Sequence, residues 1–289
     1  MALKVPAALL WLLSFLLMFG IARHQRRSGP TWPVRGEILG EAGPLPYTFP
    51  RSADTDAPLR IEAPRPAGAR EATVLWRRYP LSEPFVRVPM ESGDEGFAAS
   101  LPAQPAAGKI EYHVEITDEK GTHVLPSGRN AVLRFKDPVP AWALVPHVLL
   151  MFLAVVSGFR TTLEALLGRP RSRPLARATL VLLALGGLVF GPIVQKYAFG
   201  EAWTGVPFGW DLTDNKTLLM ALCWVGALVV LELERFGVRA RRIAVLAAGL
   251  LMTAVYLVPH SMLGSQLDYT RVEQGVDPRD AVGTGGLGR

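Results

Sequence analysis

The sequence predicts a membrane α-helical protein of five transmembrane helices, with an all-β sandwich inserted after the first helix. Three observations predict it. The 289 residues are 49% hydrophobic and only 19% charged, with a mean hydropathy of +0.24, too apolar for an ordinary soluble chain of this length. The apolar residues are gathered into runs free of Asp, Glu, Lys and Arg: Val5–Ala22, Pro138–Phe159, Ala178–Gln195, Thr217–Leu231 and Ile243–Leu267. About 20 such residues cross a bilayer. Between the first run and the second, residues Ser28–Asp137 are rich in Pro and Gly and alternate with period two.

Residues 1–27 read as a signal-anchor helix. Lys4 precedes the run and Arg23, Arg26 and Arg27 follow it. The run is long for the apolar middle of a cleaved signal peptide, and no A-x-A site precedes the basic cluster, so the helix is expected to stay uncleaved.

Residues 28–137 read as the β-sandwich. In "KIEYHVEIT", Ile110, Tyr112, Val114 and Ile116 point one way, and Glu111, His113 and Glu115 the other. That alternation marks a half-buried strand. "DEKG" then turns the chain, with Gly121 supplying positive φ. Further strands are expected at "PLRIEA", "ATVLWRRY", "FVRVPM", "FAASLP" and "AVLRFK", a spacing that suits a sandwich. His113 and His123 lack a partner at metal spacing and are expected to be solvated surface residues.

The stretch Leu59–Lys136, with Tyr112, the "TDEKG" turn and the following Pro126, resembles the fibronectin type III and immunoglobulin-like modules of bacterial surface and periplasmic proteins. The resemblance implies a fold and a docking or spacer role, and supplies no catalytic residues.

Residues 138–267 read as a four-helix transmembrane bundle. The Thr217–Leu231 run is short, so its helix is expected to recruit Leu233 or the turn Asp214–Lys216. Gly187 and Gly191 stand at a small-xxx-small spacing that lets helices approach closely, and Pro192 predicts an irregular end to that helix. Cys223, the single cysteine, precludes an intramolecular disulfide. Residues 268–289 show no apolar periodicity and are expected to be disordered.

Arginines set the orientation. Arg160, Arg169, Arg171, Arg173 and Arg177 follow the second run, and Arg235, Arg239, Arg241 and Arg242 follow the fourth, the pattern of cytoplasmic loops. The N-terminus is then cytoplasmic, and the sandwich and C-terminus are extracytoplasmic, in a bacterial inner membrane. "ARHQRR" disagrees, placing three arginines outside. The net charge of +6 is explained by these loops, and no basic stripe interleaved with aromatics points to nucleic acid.

This topology collects the unusual polar residues on the outer rim. The loop "WTGVPFGWDLTDNKT" supplies Trp203, Trp210, Asp211, Asp214, Asn215 and Lys216, with Asp268, His147 and His260 at the same level. Three readings compete there. In the structural one, Asp214 caps a helix and the Trp residues form an interfacial belt. In the second, His147 and His260 ligate haem iron or another metal. In the third, Asp211, Thr213, Asp214 and Asn215 hold a divalent cation such as Ca²⁺ or Mg²⁺, although the EF-hand frame is absent.

No G-x-S-x-G, H-E-x-x-H, P-loop or dinucleotide fingerprint occurs, and no inverted repeat suggests a transporter. The reading with most support is a non-enzymatic membrane accessory protein with a membrane or periplasmic protein partner. A redox or metal-binding protein is the alternative.

Overall fold

The computed structural model describes residues 5–41, 43–119, 121–259 and 264–284. It is a mixed helical and β protein. Helix α1 (Ala7–Ser28) leads into strands β1 (Val34–Gly40), β2 (Gly43–Phe49), β3 (Ser52–Asp54), β4 (Leu59–Ala63), β5 (Glu71–Arg78), β6 (Val86–Pro89), β7 (Glu91–Gly93), β8 (Gly96–Leu101), β9 (Lys109–Asp118), β10 (Gly121–Leu125) and β11 (Ala131–Lys136). The helical part follows: α2 (Ala141–Leu166), α3 (Ser172–Leu183), a π-helical turn (Ala184–Phe190), α4 (Gly191–Phe199), α5 (Leu212–Glu232) and α6 (Val238–Leu257). The chain closes with β12 (Ser265–Leu267), α7 (Tyr269–Glu273) and β13 (Val282–Thr284).

All six expected strands form. β9 buries Ile110, Tyr112, Val114 and Ile116 and pairs with β5, β10 and β11. The larger sheet runs β3-β11-β9-β5-β6, with β3 parallel to β11, and a second sheet runs β4-β8-β7. Phe49, Ile61, Phe97 and Leu101 meet Tyr112, Val114, Leu133 and Phe135 in one core. The β1–β2 hairpin is not legible in the sequence, because Pro44 and Pro46 lie in β2. β2 pairs only with β1, and an edge strand tolerates prolines.

His113 is a correction. Its ring is mostly buried, set edge-on to Phe85 with centroids 5.1 Å apart. The face bearing Glu111, His113 and Glu115 is covered by long side chains, as in the 2.6 Å Arg77–Glu111 ion pair. Burial lowers the His113 pKa, opposed by Glu115. His123, more exposed, pairs with Asp118 at 2.9 Å.

Five helical stretches are long and apolar enough to cross a membrane: Ala7–Ser28, Ala141–Leu166, Ser172–Phe199, Leu212–Glu232 and Val238–Leu257. α2 is central and packs against α1, α3 and α6, while α5 joins α3 to α6. Met151, Val155, Phe159, Trp224 and Met252 fill the space between them. α5 begins at Leu212 and so recruits Asp214–Lys216, as its short apolar run required.

The third span has its irregularity where the glycines lie, one turn before Pro192. The backbone N–H of Gly191 reaches back to the Gly186 carbonyl, closing the π turn. The close approaches are made by a different pair from the one expected. A Cβ on Gly186 would meet Leu150 Cβ at 2.9 Å, and one on Gly187 would meet Thr217 Cγ2 at 2.6 Å. Gly191 has ordinary clearance.

The C-terminal segment also departs from expectation. Residues 264–284 fold back along the β-domain, with Leu267, Tyr269 and Ala281 buried together. Their apolar residues fall at irregular spacings, which suits a strap and leaves no period to read.

Candidate functional site

The loop joining α4 to α5 lies where the helical bundle, the β-domain and the C-terminal strap meet. Asp211, only 3% exposed, is the N-cap of α5. Its Oδ1 accepts the backbone N–H groups of Thr213 and Asp214, at 2.7 and 3.4 Å. Asp214 is the cap expected from the sequence, and the structure corrects this. It lies one turn inside the helix, where its Oδ2 accepts from the Thr204 N–H at 2.7 Å and Gln195 Nε2 at 3.2 Å. "DLTD" offers two aspartates three residues apart, and only the start of the helix decides which one caps.

The other loop residues follow from that start. Asn215 Oδ1 accepts the Val206 N–H at 2.7 Å, and Trp203 Nε1 donates to the Val206 carbonyl at 3.1 Å, holding the loop against the first turn of α5. Lys216 is buried and donates to the carbonyls of Val258 at 2.6 Å and Pro259 at 3.3 Å. Carbonyls just past a helix C-terminus have lost their helical donors, and an ammonium satisfies them. Phe208 and Trp210 project from the loop, 83% and 77% exposed. Trp142 and Tyr197, on neighbouring helix ends, make an edge-on pair at 5.8 Å.

Asp211 also ties the loop to the strap. Its Oδ2 accepts from the Ser265 N–H at 3.0 Å and the Thr204 hydroxyl at 3.2 Å. On the other side of Ser265, Arg134 of β11 donates to the Ser265 carbonyl and stacks on Phe199, 3.9 Å from the ring centroid. Next to Arg134 across the strand pair lies Lys109, whose Nζ donates to Gln266 Oε1 at 2.9 Å. Tyr269 donates from its hydroxyl to the Lys109 carbonyl at 3.0 Å. Burial pulls Arg134 down to about 10, partly offset by Asp211. Burial first, and Arg134 second, pull Lys109 down to about 8.

The expected site residues therefore divide. Asp211, Asp214, Asn215 and Lys216 come together, and the sequence reading misses their partners Gln195, Thr204 and Ser265, and Arg134 behind Ser265. Arg134 sits in an apolar-alternating strand beside buried Leu133 and Phe135, the one signal that could have raised it. Asp268 stands apart: it is exposed and caps α7, accepting from Thr270 and Arg271 N–H groups at 3.0 and 3.2 Å.

His147 reaches the Gly186 carbonyl through Nδ1 at 2.8 Å. A carbonyl only accepts, so Nδ1 carries the proton in this bond. His260 lies outside the described residues. Among the described residues no group of three or more His, Cys, Asp or Glu side chains is placed to hold a metal ion.

A second buried polar site lies at the opposite end of the bundle. Arg160 and Glu164 of α2 form an ion pair of 2.6 Å, both almost fully buried. Arg160 lies near the Trp11 ring of α1, 5.7 Å from its centroid. Glu164 Oε1 accepts the Arg171 N–H at 3.2 Å, fixing the α2–α3 turn. One turn back, Thr179 donates to Ser157 Oγ at 2.9 Å. The charge-free run ends at Phe159, so a scan for such runs stops one residue short of this pair.

No protein-family model matches the chain, and no curated protein is similar to it. Function must be argued from the geometry.

Proposed function

We propose that this chain is a multi-pass accessory protein of a bacterial inner membrane, and that its β-domain is an extracytoplasmic docking module of the immunoglobulin-like class. The observation that carries the docking reading is how the outer-rim polar residues are used. Asp211, Asp214, Asn215, Lys216 and Arg134 are engaged in bonds that fasten loop, helices, strap and β-domain together. Such an arrangement holds the β-domain in one orientation over the membrane. A platform of this kind serves presentation better than chemistry.

Strand order supports the immunoglobulin-like assignment. β4-β8-β7 follows the B-E-D order of such sandwiches, and β11-β9-β5-β6 follows G-F-C-C′. Trp76 lies on the strand equivalent to C, where those domains carry a buried tryptophan. Tyr112 departs from the usual tyrosine corner, because its hydroxyl donates to the distant Pro50 carbonyl at 2.7 Å. The Arg-rich turns at the far end of the bundle support a cytoplasmic placement of that end.

Contacts made by α1 support a retained signal-anchor. Arg169 donates to the Val5 carbonyl and Gln25 donates to the Tyr256 carbonyl at 2.8 Å. Trp11 shields Arg160. Removing α1 would open a buried ion pair to lipid, a costly exposure.

Photo-crosslinking in cells tests the docking reading. A crosslinker replacing Leu39, 86% exposed at the hairpin tip, or Val124 on β10 should yield one discrete protein adduct. The full chain in mild detergent should migrate in an assembly larger than itself. If both positions stay unlinked and the chain migrates alone, docking is wrong. A Soret band that disappears in His147→Ala would replace it with the haem reading.

A further inference from the structure

The arginines that follow α1's apolar run contradict the charge pattern of the rest of the chain, and their placement suggests why. Gln25 fixes the rotation of the last turns of α1 by bonding the Tyr256 carbonyl at the end of α6. At 3.6 residues per turn, Arg23 and Arg27 each stand about 160° around the helix from Gln25, so both face away from the bundle. Both are exposed. Gly20, Arg23, His24, Arg27 and Ser28 form one continuous exposed face of α1. A Cβ on Gly20 would meet nothing within 4 Å, so this face is uncovered at its apolar end as well.

Neighbouring arginines are engaged. Arg26 and Arg35 bracket the Trp32 ring at 5.7 and 5.2 Å from its centroid. Arg23 and Arg27 form no ion pair or hydrogen bond among the described residues. Each therefore keeps a full set of guanidinium donors, at the level where a membrane-length helix leaves the hydrocarbon. Arginine is suited to planar, two-pronged recognition of phosphate.

We propose that Arg23 and Arg27 form a binding site for the phosphate of an anionic phospholipid, in the leaflet on the β-domain side. The acyl chains would lie along α1 beside Gly20. The proposal rests on the reading that α1 spans the bilayer. It accounts for basic residues on a side where the charge rule disfavours them, because a bound phosphate neutralises them in place.

Photoactivatable phosphatidylglycerol, diluted into phosphatidylcholine vesicles holding the full chain, tests it. The crosslinked peptides are mapped by mass spectrometry. Labelling of the segment 20–28 should fall about fivefold for each of Arg23→Gln and Arg27→Gln, recover only in part in the Lys variants, which keep the charge and lose the two-pronged geometry, and weaken with salt. Neither side chain packs in the core, so the variants should elute like the parent protein. Equal labelling by photoactivatable phosphatidylcholine or full labelling in the double Gln variant would each overturn the site. Failure of the parent protein to float with vesicles would sink the membrane reading itself, which separates the two failures.

Discussion

At the residue scale, Asp211 and Asp268 are two N-cap aspartates in different settings, and the difference can be measured. Asp268 is exposed and serves only α7, so Asp268→Ala should cost about 1 kcal/mol, the ordinary value of a cap. Asp211→Ala removes a cap and also strands the buried Ser265 N–H, while the Thr204 hydroxyl keeps Asp214 Oδ2 at 3.4 Å. Its cost should reach about 2–4 kcal/mol. Thermal unfolding of the two variants in detergent should rank them in that order, and equal shifts would refute the joint described around Asp211. Lys109 supplies a pH test. Its folded pKa lies near 8, below its ordinary value of 10.5, so between those values the unfolded chain binds more protons and stability rises with pH. The penalty of burying the charged ammonium is full below pH 8 and fades towards pH 10.5. Lys109→Met should flatten the slope of the melting temperature between pH 8 and 10 relative to the parent protein. An unchanged slope would mean that Lys109 is not buried beside Arg134.

At the scale of elements, the π turn lies against the backbone of α2. Gly186→Ala would push a methyl group into Leu150 Cβ and the Met151 nitrogen, a backbone clash that no rotamer relieves. Overpacking of this kind costs about 1–3 kcal/mol. A Cβ on Gly226 in α5 would meet no atom within 4 Å, so Gly226→Ala should be neutral or stabilising by up to about 1 kcal/mol. Melting temperatures moving in opposite directions would match the packing, and a harmless Gly186→Ala would contradict it. These elements also show what a sequence displays. Helices are legible because composition alone marks them, and β9 because four apolar residues alternate without a gap. The β1–β2 hairpin hides behind two prolines that only an edge tolerates, and the strap behind apolar residues with no common period. Of the candidate site, the loop residues can be read as a cluster. Arg134 and Ser265 cannot, because they come from distant parts of the chain, Ser265 to bond Asp211 and Arg134 to bond Ser265.

At the scale of the whole molecule, one assignment fixes the meaning of everything else: which side of the membrane carries the β-domain. The fold itself is indifferent to side, because the junction of Arg134, Ser265 and Asp211 is the same in either orientation. What breaks the symmetry is charge. The α2–α3 and α5–α6 turns and the first turns of α3 and α6, at the end of the bundle away from the β-domain, carry Arg169, Arg171, Arg173, Arg235 and Arg239, a pattern that favours the cytoplasmic side. The opposing cluster at the end of α1 is smaller, and Arg26 there is already engaged with Trp32. The orientation with the β-domain outside should therefore prevail. In a Cys223→Ser background, a membrane-impermeant maleimide should label Thr122→Cys in intact cells or spheroplasts, and should reach Ser172→Cys only after permeabilisation. Thr122 lies on exposed β10 and Ser172 begins α3 in the Arg-rich turn. Labelling in the reverse order would invert the protein, turning the β-domain towards cytoplasmic partners and the Arg23–Arg27 face towards the inner leaflet.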